Sequence, residues 1–211
     1  MLLSRIKLFP WRTYNAVYNV WAWLMNELGN EAYSGEKNIS NRRIEMFHSS
    51  SDEKSKTRVL NGFKVGGQIE VVICTVAFGM GIDIPDIEMV INWGAPRSML
   101  AYWRQVGRCG RGGQRSIAIM FPFPRSMMKG MVEDDLKNFL SNENSCHRRR
   151  ALECLLTKDM DPSKVPVSKV CEVKNCDECG CKACVCCTHC YETCSCTNKR
   201  MDLTGRKWTL P

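Results

Sequence analysis

Apolar and polar positions along the chain fall into blocks that predict alternating strands and helices. Val71-Val72-Ile73-Cys74, with Ile69 two residues ahead, is short, β-branched and unbroken, as expected of a strand buried on both faces of a parallel sheet. Residues 89–92 and 116–121 predict two more strands, and residues 44–47 a short one. Between them the spacing turns helical. In residues 14–28, Val17, Val20, Trp21, Leu24 and Leu28 form one apolar stripe, and Gly29 is a natural stop. The aromatic residues there read as core rather than as a platform for stacking bases. Ser51 reads as the N-cap of a helix reaching Phe63, with acids in its first turn and Val59, Leu60 and Phe63 facing inward. Residues 98–106 predict a helix, and so do residues 127–140 after the breaker Pro122-Phe123-Pro124. Residues 1–13 are ambiguous: residues 6–9 make at best a poor strand before Pro10-Trp11.

Strand, loop and helix in alternation imply an α/β fold with a mainly parallel sheet flanked by helices. Such sheets bind ligands at the carboxyl ends of their strands. Residues 75–86 follow one strand and carry two glycines, Asp83 and a proline, the composition of a loop that approaches something closely. Gly107-Arg108-Cys109-Gly110-Arg111-Gly112-Gly113 follows the last helix of the unit. Two arginines three residues apart among glycines suit a polyphosphate, because the planar guanidinium stays charged and grips phosphate oxygens in pairs. In nucleoside triphosphate hydrolysis such an arginine stabilises the charge of the transition state.

Composition narrows the partners. The net charge of +8 over 211 residues favours an acidic partner such as nucleic acid. No stretch approaches a membrane span, and the N-terminus lacks the apolar core of a secretory signal. A chain kept in a reducing compartment uses its 14 cysteines as thiols or metal ligands rather than as disulfides. Twelve of the 14 lie after residue 145, which sets the expected domain boundary near residues 123–126.

Residues 75–83, Thr75-Val76-Ala77-Phe78-Gly79-Met80-Gly81-Ile82-Asp83, closely resemble motif V of RecQ-type DNA helicases. Tyr102 with the Gly107–Gly113 run resembles motif VI of that family, and Met46-Phe47-His48-Ser49 resembles its motif IVa. The resemblance covers roughly residues 14–180. It implies a second RecA-like lobe at residues 1–124 with its first strand degenerate or missing, a helical zinc-binding subdomain at 125–180 and a cysteine-rich basic tail at 181–211. It implies that Gly81, Asp83, Gly107 and Gly110 shape the nucleotide side. Arg108 and Arg111 would face the γ-phosphate, with Arg111 as the arginine finger. His48, Ser49 and Thr75 would meet nucleic acid, joined by Arg148 and Arg149 on the basic helix that begins at Cys146. A strand-end histidine with capping serines, and arginines on a solvated face, are the plainer alternatives for these last two groups.

In the same family one cysteine on an arginine-rich helix and three near a Cys-Asp-x-Cys hold a structural zinc ion. Cys146, Cys171, Cys176 and Cys179 match that pattern in order. Cys154 reads as a packed thiol. Cys181, Cys184, Cys186, Cys187, Cys190, Cys194 and Cys196 with His189 exceed what the motif needs. They form either a second metal site, from Cys184, Cys187, Cys190 and Cys194, or a redox-active or irregular tail.

The family unwinds DNA in the 3′-to-5′ direction with ATP and Mg²⁺, acts in recombination, repair and replication, and in eukaryotes is nuclear. This chain departs from it. Arg104-Gln105 stands where the family usually has Gln-Glu, and Gly112 where it has Asp. No Gly-x-x-x-x-Gly-Lys-Ser/Thr and no Asp-Glu-x-His occurs. The expectation is therefore negligible ATP turnover by this chain alone, with DNA, and a first helicase lobe or partner helicase in trans, as partners. The alternative reading is a non-catalytic protein that binds DNA or a partner through a zinc region.

Overall fold

A computed structural model describes residues 6–10, 13–64, 66–75, 87–114, 116–141, 145–165 and 186–195. The sheet contains five strands: β1 (Ile6–Pro10), β2 (Ile44–Phe47), β3 (Val71–Cys74), β4 (Met89–Trp93) and β5 (Ile117–Phe121). They run parallel in the order β2-β3-β1-β4-β5. Residues 6–10 are thus a full central strand, in register with both β3 (Ile6 opposite Val71) and β4 (Ile6 opposite Met89). The sequence undervalued this segment because a five-residue strand next to Pro10 has no room to show a period. Pro10 is accommodated as the last residue of its strand.

β3 shows how the faces divide. All four of its side chains are buried. Val71 and Ile73 pack with Val17, Ile44, Ala32 and the stripe Val20, Trp21, Leu24 and Leu28 of α1 (Tyr14–Leu28). Val72 and Cys74 face the other way, onto Phe47, Val59, Phe63, Ile69, Ile87 and Val90. Helices on both faces explain why β3 lacks alternation. The second face is covered by α2 (Glu53–Gly62). Its N-cap is Asp52, whose carboxylate accepts from Ser55 N–H at 2.9 Å, one residue later than the expected Ser51. Hydrogen bonds from the Ser55 hydroxyl and then from its N–H hold the Asp52 carboxyl below its ordinary value. Strand β2 places Glu45 inside, 2 % exposed, where Arg58 of α2 pairs with it and Arg42 lies 3.9 Å away.

The chain crosses back through α3 (Met99–Val106), capped by Ser98, whose hydroxyl accepts from Ala101 N–H. After β5 the expected long helix does not form at once. Residues Pro124–Met127 make a 3-10 turn, and α4 spans only Asp134–Ser141. The fully buried Ser126 hydroxyl accepts from Ala95 N–H and Phe123 N–H and donates to Phe123 O. Gly94, at φ +102°, leaves room for the Phe123 ring, which a Cβ would meet at 3.1 Å. These ties, with an Arg97–Glu133 ion pair, keep the segment with the sheet. The first compact unit consequently runs to Glu133, and the second begins at Asp134. The second unit holds α4, α5 (His147–Glu153) and α6 (Thr188–Thr193). Among the described residues no helix is long and apolar enough to cross a membrane.

Candidate functional site

The arginine loop is defined by backbone. Leaving α3, Gly107 N–H bonds Trp103 O, Arg108 N–H bonds Gln105 O and Cys109 N–H bonds Val106 O. Gly110 N–H then reaches Ile87 O at 3.1 Å, just ahead of β4. Gly110 sits at φ +71°, and a Cβ there would lie 2.5 Å from Ser116 Oγ, so only glycine fits without displacement. The Cys109 side chain packs against the core between the two arginines. Sequence pattern alone gives Cys109 no role, yet it anchors the loop. Arg108 is half-buried; Arg111 is exposed and donates from Nε to Gly107 O at 3.1 Å. Burial, with Cys109 beside it, pushes the Tyr102 phenol up to about 12, so it stays a neutral donor at working pH.

The loop is at the amino end of the sheet, ahead of β4 and β5. α3 carries the chain back across the sheet, so the arginine loop must lie where β5 begins. His48, Ser49 and Thr75 are at the opposite end, past β2 and β3. Thr75 is 6 % exposed and Ser49 exposed. His48 Nδ1 accepts from Ser50 N–H at 3.0 Å, which leaves the neutral ring with its proton on Nε2. The segment joining Thr75 to Ile87 contains Gly81 and Asp83 and lies outside the described residues.

The second unit gathers thiols. The Sγ atoms of Cys146, Cys186, Cys187 and Cys190 all lie within 4.8 Å of one another. Cys146 stands at the start of α5 without capping it, Cys187 caps α6 by accepting from Cys190 N–H, and Cys190 lies in the first turn of α6. Cys146 Sγ is 3.6 Å from Cys186 Sγ. A tetrahedron of ~2.3 Å zinc–sulfur bonds has edges of about 3.8 Å, so the spacing suits a metal of that kind. Cys187 Sγ accepts from His147 N–H at 3.4 Å and Cys190 N–H at 3.5 Å. Burial, then the thiols of Cys187 and Cys146, push the Cys190 thiol up. A divalent cation would supply the charge that deprotonates it. Four sulfurs with no carboxylate or open position fit a closed structural zinc site.

Cys146 is common to this cluster and to the set expected from resemblance. Cys171, Cys176 and Cys179 lie outside the described residues, as do Cys181, Cys184 and Cys196. Cys194 is buried and is not one of the four. Cys154 is exposed rather than packed. The signal that could have found this set was the Cys-Cys-x-x-Cys at 186–190. Of the basic helix, Arg148 is exposed and Arg149 pairs with Glu153 at 2.7 Å. Arg150 turns inward over Phe139 and donates to the carbonyls of Asn138 and Phe139 in the last turn of α4.

Residues 18–113 match the family described as helicase conserved C-terminal domain. The chain is 41% identical over 101 residues to human ATP-dependent DNA helicase Q4, covering 46% of this chain and 8% of that protein. It is 28% identical over 169 residues to the ATP-dependent helicase SGS1 of Saccharomyces cerevisiae, covering 71% and 11%. A protein of Acanthamoeba polyphaga mimivirus named as an ATP-dependent RNA helicase, R290, is 31% identical over 111 residues, covering 53% and 19%. The chain thus spans less than a fifth of the length of these relatives.

Proposed function

Because this chain belongs with the RecQ-type helicases of superfamily 2 and carries their C-terminal helicase domain, we propose that it is the nucleotide-sensing and DNA-contacting half of an ATP-dependent 3′-to-5′ DNA helicase. The observation that carries the reading is the arginine loop, whose backbone is fixed at Ile87 and in which Cys109 is anchored in the core while Arg111 remains exposed.

In this account Arg111 stabilises the charge that develops on the transferred γ-phosphoryl group, and Arg108 beside it orients the phosphate. Gly107 and Gly110 let the backbone come close, and Gly81 and Asp83 complete the nucleotide side. At the other end of the sheet, His48 Nε2–H, Ser49 and Thr75 meet the DNA backbone. In the second unit, Arg148 and Arg149 make phosphate contacts of their own. Phosphoryl transfer also needs a phosphate cradle and a bound Mg²⁺. Neither the glycine-lysine loop nor the Asp-Glu-x-His box occurs in these 211 residues. A first helicase lobe, or a partner helicase in trans, supplies them.

Zinc, held by Cys146, Cys186, Cys187 and Cys190, ties α5 to α6 across about forty residues of chain and contributes folding energy rather than chemistry. Cys171, Cys176 and Cys179 are the competing ligands with Cys146. Recombination, repair or replication in the nucleus is the setting that goes with this family.

A fluorescent ATP analogue and single-stranded DNA, added separately to the purified chain, test the division of labour. DNA binding with only weak nucleotide binding and no turnover is expected. Robust hydrolysis by the chain alone would overturn it.

A further inference from the structure

The face of α1 that meets edge strand β2 carries a row of rings. His48, at the carboxyl end of β2, makes an edge contact with Tyr14 at 5.1 Å. Tyr14 and Tyr18 lie near-parallel, 17° apart, with centroids 6.4 Å apart. Tyr18 meets Trp21 at 6.0 Å, and Arg42 lies over Trp21 at 5.1 Å. Helical periodicity assigns the aromatics of this helix to the core. Trp21 partly obeys it, but Tyr14 and Tyr18 are each 46% exposed, a turn apart, outside the apolar stripe.

We infer that Tyr14 and Tyr18 form a stacking platform for successive bases of single-stranded DNA, beside the phosphate contact made by His48. The inference rests on the nucleic-acid role proposed for this lobe and adds a base-contacting surface to it. Two near-parallel rings, with centroids 6.4 Å apart, offer adjacent aromatic faces to the bases of one strand. Stacking accepts any base, as an unwinding enzyme requires. The ends of the row are donors: His48 presents Nε2–H, because Nδ1 is occupied by Ser50 N–H, and Arg42 presents a guanidinium. The acid nearest Arg42, Glu45, is buried and shared with Arg58, so the Arg42–Glu45–Arg58 trio keeps one net positive charge. A protein strand is a poorer occupant of this edge. Trp21 Nε1–H already holds Ile44 O at 3.2 Å, and a Tyr33–Arg42 bridge covers the approach to β2.

The test measures anisotropy of a labelled oligothymidylate and of an abasic oligomer of equal length with the zinc-loaded chain. Tyr14→Leu and Tyr18→Leu should each weaken oligothymidylate binding by roughly five-fold or more. Abasic binding should stay unchanged, and Tyr14→Phe and Tyr18→Phe should bind as wild type. Independently of any variant, photocrosslinking of a 5-iodouracil oligomer to the wild-type chain should mark Tyr14 or Tyr18. Leucine variants that bind like wild type, equal losses on both oligomers, or crosslinks confined to other residues overturn the platform and leave the nucleic-acid role standing. A wild-type chain that binds neither oligomer overturns both.

Discussion

Replacing Gly110 by alanine probes the arginine loop at its tightest point. Two costs add. At φ +71° an alanine sits in the left-handed region, a strain of about 1–2 kcal/mol. Its Cβ would also lie 2.5 Å from Ser116 Oγ and 3.2 Å from Gln114 O. The Ser116 hydroxyl can rotate away because that residue is exposed, but the carbonyl cannot. The steric part is then on the order of 1 kcal/mol, as for mild overpacking. Gly113 provides the control: φ is +82° and nothing lies within 4 Å, so Gly113→Ala should cost the strain alone. Urea unfolding at constant m-value should show Gly110→Ala losing about 2–3 kcal/mol and Gly113→Ala about 1–2 kcal/mol. Adding Ser116→Ala to Gly110→Ala should change little, because the Gln114 carbonyl remains. Equal losses at the two glycines, or full relief from Ser116→Ala, would refute the packing argument for this loop.

Arg58→Met should destabilise the first unit by about 2–3 kcal/mol in the same assay. That is less than the ~3–5 kcal/mol for a fully buried pair, since Arg58 is 34% exposed and Arg42 remains 3.9 Å from Glu45. A loss below about 0.5 kcal/mol would mean that Glu45 needs no partner. Tyr102, raised to about 12, favours the neutral phenol in the folded chain. Its contribution is full below the unfolded value near 10 and falls by about 2–3 kcal/mol as pH rises through 12. The wild type should therefore lose more urea stability than Tyr102→Phe between pH 9 and 11.5, and parallel losses would contradict the assignment. Cobalt titration of the metal-free chain should give tetrahedral thiolate absorption that Cys186→Ser and Cys190→Ser each diminish. If only Cys171, Cys176 or Cys179 substitutions do so, those residues are the ligands.

Much of the first unit was legible because its elements have a strong period or an unbroken apolar run. The α1 stripe from Val17 to Leu28 and the doubly buried β3 are local patterns, and both appear where expected. Strand β1 was obscure because its place is set by partners sixty and more residues away. The helix expected at residues 127–140 begins only at Asp134, after a turn in which Ser126 binds Ala95, a long-range tie with no local trace. The arginine loop was readable as chemistry, and its place between a helix and the next parallel strand puts it at the amino end of the sheet. The thiol cluster shows the limit most clearly. With twelve cysteines after residue 145, spacing names several tetrads, and among the described residues it is the fold that brings four together.

The central claim is that this chain supplies an arginine to a nucleotide site completed elsewhere. Its most direct test is ATP hydrolysis with single-stranded DNA, measured for the chain alone and after adding a separately purified RecQ-type first lobe. The account predicts no turnover by either part, DNA-stimulated turnover by the mixture, and its loss with Arg111→Ala in this chain. Turnover by the chain alone, or a mixture indifferent to Arg111→Ala, would contradict it.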